Sequence, residues 1–313
     1  EDEKHFVTVM HDLEKDIVAL IKTKGPQTGL EIKKAIDADS LIVWKTCKAS
    51  PRLRVRVLGK RYLRLDRHVD GLARLSPSIL REFFTYSVVG LGNEPASLEK
   101  RCTEVIDRIH WISRFKLDLA RQMVADIMKE FDDGVSRAHQ ICFVIAGDVV
   151  YDMAHDVPRP ERSTGRLVRG SDIDLVAVVA DTMPDAYINR LDELIYKKKY
   201  RMLIDPAVNE EVDYKIKRLG LIREQARFDN FKYMVAIKIL QEGVLLYGNE
   251  DLFRTVKTII EKKGLLERFD EFERLAKAFR KKAEESILYD DLSQAAVEEM
   301  HLFYSAEEFE EFE

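Results

Sequence analysis

The decapeptide Gly170-Ser171-Asp172-Ile173-Asp174-Leu175-Val176-Ala177-Val178-Val179 constrains the fold more than any other stretch of this chain. Its apolar, β-branched run predicts a strand, and two aspartates stand at the mouth of that strand. Side chains at i and i+2 of a strand point to one face, so Asp172 and Asp174 sit side by side with Ile173 turned away. Aspartate is depleted in strands, and two adjacent carboxylates repel unless a cation lies between them. A divalent ion that prefers oxygen ligands and leaves room for phosphates, Mg2+ before others, satisfies that pair. The alternative is two aspartates in a turn ahead of a strand.

A second unbroken apolar run, Ile141-Cys142-Phe143-Val144-Ile145-Ala146, predicts a buried strand ending at Gly147, with a helix to follow from Asp148 to His155. Glu211-Val212-Asp213-Tyr214-Lys215-Ile216 alternates strictly, which predicts a strand with Glu211, Asp213 and Lys215 on its polar side. Val244-Leu245-Leu246-Tyr247-Gly248 predicts a short strand after a turn at Glu242-Gly243, and the pattern beyond it is helical.

The first seventy residues carry a different pattern. Met10, Leu13, Ile17, Leu20 and Ile21 repeat at helical spacing, and Gly25-Pro26 ends that helix. Thr28 caps a second helix, and Asp39 or Ser40 caps a third with Leu41, Trp44 and Cys47 on one face. Leu53–Leu58 and Tyr62–Leu65 alternate apolar and basic residues around Gly59-Lys60-Arg61, which predicts a hairpin with one cationic face. Nine of the residues from Lys45 to Arg67 are basic and one, Asp66, is acidic, although the whole chain carries a net charge of −5. By contrast, Val297–Glu313 is acidic and has no Lys or Arg. Such asymmetry suits a nucleic-acid-facing end and an acidic tail that folds back on the basic hairpin or packs in a homo-oligomer.

Three helices followed by a basic hairpin resemble the winged helix-turn-helix family. That resemblance implies DNA or RNA as a partner, with Lys45 and Lys48 of the third helix facing a groove and Arg54, Arg56, Lys60 and Arg61 contacting phosphate. The order of strand, glycine, helix, loop, Ser-Asp-Ile-Asp-Leu strand and later acidic strand resembles the DNA polymerase β-type nucleotidyltransferase superfamily over about residues 117–248. It implies an α+β fold: a nucleotidyltransferase-type mixed sheet flanked by helices, with an N-terminal winged helix and C-terminal helices. The expected divisions are 1–70 for the winged helix, 71–115 for a helical connector, 116–248 for the core and 249–313 for the closing helices and tail.

The same resemblance implies two Mg2+ ions held by Asp172, Asp174 and a third acid. The third is Asp213, with Glu211 on the same polar face as the alternative. It also implies an NTP as substrate, with Gly147 and Ser171 at its phosphates; the loop between Gly147 and Asp172 is longer than the family's, and its arginines Arg162, Arg166 and Arg169 are expected either to grip the phosphates by charge-assisted forks or to lie on a solvated surface loop. Arg159 lies in the same loop. One position departs from the family pattern: Gly147 is followed by Asp148, whose charge opposes phosphate. The expected activity is transfer of a nucleoside monophosphate to a hydroxyl acceptor. The competing expectation is a DNA-binding transcriptional regulator whose nucleotidyltransferase-like domain binds nucleotide or mediates assembly without catalysis. No apolar run reaches the length of a membrane span, and the 3 cysteines form no C-x-x-C pair, so the expected location is the cytoplasm.

Overall fold

The structure is a computed structural model. It describes residues 2–131, 137–161, 163–289 and 297–304, without the side chains of residues 2–9, 297 and 298. The fold is mixed α+β with several small sheets. The chain forms two compact units, Glu1–Arg108 with Phe272–Glu313, and Ile109–Glu271.

In the first unit, α1 (Asp2–Lys24) stops at Gly25, whose φ of 79° lies in the left-handed region that glycine tolerates. β1 (Gln27–Thr28) leads into α2 (Gly29–Ala35), where Thr28 and Glu31 form a reciprocal capping box. Asp39 caps α3 (Ser40–Ala49) by accepting from the N–H groups of Leu41 and Ile42. Then come β2 (Leu53–Val57), β3 (Tyr62–Leu65), β4 (Ala73–Ser76), α4 (Ile79–Thr85) and β5 (Ser87–Leu91).

The expected hairpin of β2 with β3 does not form. β5 sits between β1 and β2 in one antiparallel sheet, and β3 pairs instead with β4. Alternation correctly marked a buried face on β2 but not which strand lies beside it. The segment expected as a helical connector therefore supplies two strands. It also leads into α5 (Pro95–Phe131), one continuous helix of 37 residues.

The second unit holds a four-stranded sheet in the order β10-β9-β6-β11. β6 (Ile141–Ala146) is followed by a single 3₁₀ turn, Gly147–Val149, in place of the expected helix. The loop beyond it contains a hairpin of β7 (Pro158–Pro160) and β8 (Leu167–Arg169). β9 (Ile173–Val179), α6 (Asp185–Ile204), β10 (Val212–Arg218), α7 (Leu219–Gln225), α8 (Phe231–Glu242), β11 (Val244–Gly248) and α9 (Glu250–Lys262) complete the unit up to the start of α10 (Leu265–Tyr289). α10 continues into the residues of the first unit, whose last described helix is α11 (Val297–Phe303).

Each unit has its own core. Ile173, Leu175, Ala177 and Val179 bury one face of β9 together with Phe143, Ile145 and Val212, against α5 residues such as Val124 and Ile127. The first unit packs Ile17, Ile32, Val43, Trp44 and Phe83 with Ile287 and Phe303. No helix among the described residues is long and apolar enough to cross a membrane. Cys47, Cys102 and Cys142 are free and buried.

Candidate functional site

β9 and β10 run parallel, with Ile173 opposite Val212 and Asp174 opposite Asp213. Directly opposed residues of neighbouring strands share a face. Alternation turns Ile173 and Leu175 into the core, so Asp172, Asp174 and Asp213 share the other face, where Glu211 also lies. β6 lies antiparallel on the other side of β9, with Ala146 opposite Asp174. That register delivers Gly147 to the carboxylate of Asp174. Gly147 has φ 74°, and a Cβ there would stand 2.2 Å from Oδ2 of Asp174, so no other residue fits without displacing that acid.

Asp148 is buried and turned towards the strand mouth, where the Ser171 hydroxyl donates to its Oδ2 at 2.7 Å. Ser171 Oγ also accepts from the His155 N–H at 3.2 Å. Ser171 therefore ties the Gly147 turn to the start of β9, and its hydroxyl is engaged by protein. The N–H of Gly147 donates to Glu242 Oε1 at 3.2 Å, while the Tyr151 hydroxyl and the Lys238 ammonium donate to Oε2 at 2.8 and 2.6 Å. Lys238 and Glu242 thus form a buried ion pair one helical turn apart on α8.

The β7–β8 hairpin brings Arg159 to the acids. Its Nε donates to the Gly170 carbonyl at 2.8 Å, and its Nη2 lies 2.8 Å from Glu211 Oε2 and 3.9 Å from Asp172 Oδ2. Burial raises the Glu211 carboxyl above its usual range; Arg159 opposes that shift and Asp172 adds to it. Arg166 and Arg169 are exposed on the same hairpin, and Arg162 lies outside the described residues. Glu161 fixes the hairpin turn. Burial opposes its ionisation, but hydrogen bonds from the hydroxyls and N–H groups of Ser163 and Thr164 bring it down to about 2.

Beneath the mouth, the fully buried Lys116 of α5 donates to the Arg169 carbonyl at 2.7 Å and pairs with the buried Glu210. Burial lowers the Lys116 ammonium and raises the Glu210 carboxyl, each offset by the other. Asp213 is exposed and lines an edge groove of about 450 Å³ with Asp192, Lys199 and Lys215.

Three carboxylates on one sheet face are the donor type a hard cation such as Mg2+ takes, but their ligand atoms are not gathered within 4.8 Å of one another as those of Asp66, His68 and His301 are, so the acids must draw together to hold an ion.

Sequence reasoning missed Lys116, Lys238 and Glu242. A lysine at 116, in step with Ile112 and Ala120 on an apolar stripe, was a readable sign of a buried charge. An acid at the C-terminal end of α8, where the helix dipole disfavours it, was another.

In the first unit the expected nucleic-acid contacts divide. Arg54 and Arg56 are exposed on β2, with Arg56 Nη2 3.6 Å from Glu99 Oε2. Arg54 also lines a groove of about 460 Å³ with Lys22 and Arg52. Lys60 is exposed and Lys48 half-buried. Lys45 is buried with Val43, Trp44 and Thr46, so it does not face a groove: α3 is enclosed on nearly every side. Arg61 is held by Glu82 at 2.5 and 2.7 Å and by Glu284 at 2.8 Å, so its guanidinium is already paired.

Set against protein-family models, curated proteins and solved structures, the chain matches none of them.

Proposed function

We propose that the second unit is a metal-dependent nucleotidyltransferase that moves a nucleoside monophosphate from an NTP to a hydroxyl acceptor. The observation that carries this reading is the pairing of Asp174 with Asp213 across β9 and β10, with Asp172 on the same face and Gly147 against Asp174. In this reading Asp172, Asp174 and Asp213 hold two Mg2+ ions. When bound, the ions supply activation of the acceptor hydroxyl and neutralise charge on the departing pyrophosphate. Gly147, Arg166 and Arg169 receive the triphosphate. Lys116 holds the Arg169 carbonyl and so fixes the start of the acidic strand. The acceptor approaches along the edge groove beside Asp213, where Lys199 and Lys215 favour an anionic molecule. Most of the rate enhancement then comes from positioning and charge stabilisation.

The first unit binds nucleic acid in this reading, through the exposed Arg54, Arg56 and Lys60. Its order of helix, short strand, two helices and strand supports a winged helix, and the burial of α3 moves the expected contact from that helix to the cationic face of β2. A cytoplasmic location, where the free cysteines stay reduced, completes the reading.

A second reading is a nucleic-acid-binding regulator that does not turn nucleotide over. It is favoured by Glu242 on the Gly147 N–H and by Arg159 beside Asp172. Incubation with labelled NTPs, Mg2+ and candidate acceptors, comparing wild type with Asp172→Asn plus Asp174→Asn, separates the two. Pyrophosphate release by wild type alone supports transfer. Nucleotide binding without release supports a nucleotide-sensing regulator, and neither binding nor release removes the transferase.

A further inference from the structure

Away from the acidic strand, the first unit gathers a second set of metal-ligating side chains. Asp66 follows β3, His68 lies two residues on, and His301 belongs to α11. His68 Nδ1 is 3.2 Å from Asp66 Oδ1, and His301 Nε2 is 3.2 Å from Asp66 Oδ2. One ligand atom from each of the three lies within 4.8 Å of the others. The two imidazole rings are 5.5 Å apart and inclined at 58°.

We propose that Asp66, His68 and His301 form a binding site for a transition-metal ion of the Zn2+ class, clamping α11 to the turn after β3. Two imidazoles and one carboxylate make a borderline donor set that suits Zn2+, Co2+ or Ni2+ and not Mg2+. Metal–ligand bonds of about 2.0–2.1 Å place the corners of a tetrahedron about 3.4 Å apart. Each imidazole nitrogen already stands near that spacing from a carboxylate oxygen, His68 from Oδ1 and His301 from Oδ2, and a turn of the exposed His68 ring brings both onto one oxygen. Two neighbours hold the Asp66 carboxylate in place. Arg74 Nε donates to Oδ2 at 3.0 Å and the His68 N–H donates to Oδ1 at 2.9 Å. Such outer contacts fix a ligating carboxylate. His68 is 59% exposed, which leaves an entry path and a remaining position for water. Asp66 and His301 stand 235 residues apart in sequence, so occupancy would fasten the closing helix, whose Phe303 meets Trp44 edge-on at 5.7 Å.

The full chain, stripped with chelator, is titrated with Zn2+ by calorimetry and with Co2+ by visible absorption. In the Asp172→Asn plus Asp174→Asn chain, where the acidic strand no longer competes for divalent ions, the expected result is one saturable equivalent, a tetrahedral Co2+ spectrum and a rise in Tm on Zn2+ addition, with no such response to Mg2+. His68→Gln and His301→Gln should each weaken binding by about tenfold or more. Both variants should keep the wild-type circular dichroism in chelator, so a failure to fold is not mistaken for lost ligation. Asp172→Asn plus Asp174→Asn should keep the equivalent, which separates this site from the acidic strand. The proposal is overturned if Zn2+ does not saturate at one equivalent, if the histidine variants bind as wild type does, or if the equivalent disappears with Asp172 and Asp174. In each of those cases the cluster is a hydrogen-bonded one only.

Discussion

The N–H of Gly147 points at the carboxylate of Glu242, 3.2 Å from Oε1, across 95 positions of sequence. The amide that would receive a phosphate already holds an anion of the protein's own. Nucleotide must displace or share it. Glu242→Gln keeps the shape and removes the charge, so NTP affinity should rise. A hydrogen bond to a charged group is worth about 1.5–3 kcal/mol, which sets the gain at about tenfold to a hundredfold. Titration of a fluorescent NTP analogue measures it. Unchanged or weaker binding would mean that Gly147 does not seat phosphate.

Lys116 and Glu210 are a buried pair beneath the same strand. Removing one partner strands a charge in the core, and such losses run to about 3–5 kcal/mol. Glu210→Gln should therefore lower the urea midpoint sharply. The double variant Lys116→Met, Glu210→Leu should recover most of the loss, because a packed apolar pair replaces a charged one with little penalty. A single variant that unfolds at the wild-type midpoint would contradict this account.

How much of this was legible depended on the range of the interaction. β6, β9, β10 and β11 were readable because each carries its own pattern, and the polar side of β10 placed Asp213 with Asp174 once the strands were adjacent. What could not be read was partner choice. Leu53–Val57 alternates as a hairpin arm should, yet β5 competes for it, and β5 was hidden by Gly90 and Gly92, which resemble a break. Lys45 looked solvent-facing from the spacing of Leu41, Trp44 and Cys47. Residues from distant segments, Phe303 among them, close over the helix and bury it. Arg61 has partners 21 and 223 residues away, beyond any local signal. Arg159 was visible as one of several loop arginines, but only the β7–β8 register singles it out.

Lys217 lies buried on β10, with its Nζ donating to Gln225 Oε1 at 3.0 Å. Burial, with Lys215 nearby, pulls its ammonium down to about 8. The folded pKa is depressed for a cationic group, so the unfolded chain binds more protons between that value and the ordinary lysine value of about 10.4. Stability from this group therefore rises as pH increases through that window and is flat below it. Lys257, also pulled down to about 8 by burial, acts in the same direction. Urea midpoints near neutrality and near pH 9.5 should show the rise. Lys217→Met should be more stable than wild type near neutrality, by up to roughly 3 kcal/mol, and should gain less at high pH. A wild-type midpoint that falls between those conditions would reverse the sign and contradict the assignment.

Arg159 supplies the test of how the acidic mouth is held. Its guanidinium, 2.8 Å from Glu211 and 3.9 Å from Asp172, neutralises part of the charge that a divalent ion would meet. Arg159→Met keeps a similar length and apolar bulk on the hairpin but removes that internal cation. The carboxylates then repel one another without compensation, and a metal ion becomes their best counter-charge. Mn2+ affinity in the absence of nucleotide should increase several-fold, read from free Mn2+ by electron paramagnetic resonance. The gain should vanish when Asp172→Asn and Asp174→Asn are added, because the acids that attract the ion are gone. Weaker Mn2+ binding in Arg159→Met would mean that the arginine organises the acids for the ion instead of competing with it, and the β7–β8 hairpin would then be a positioning element of the metal site.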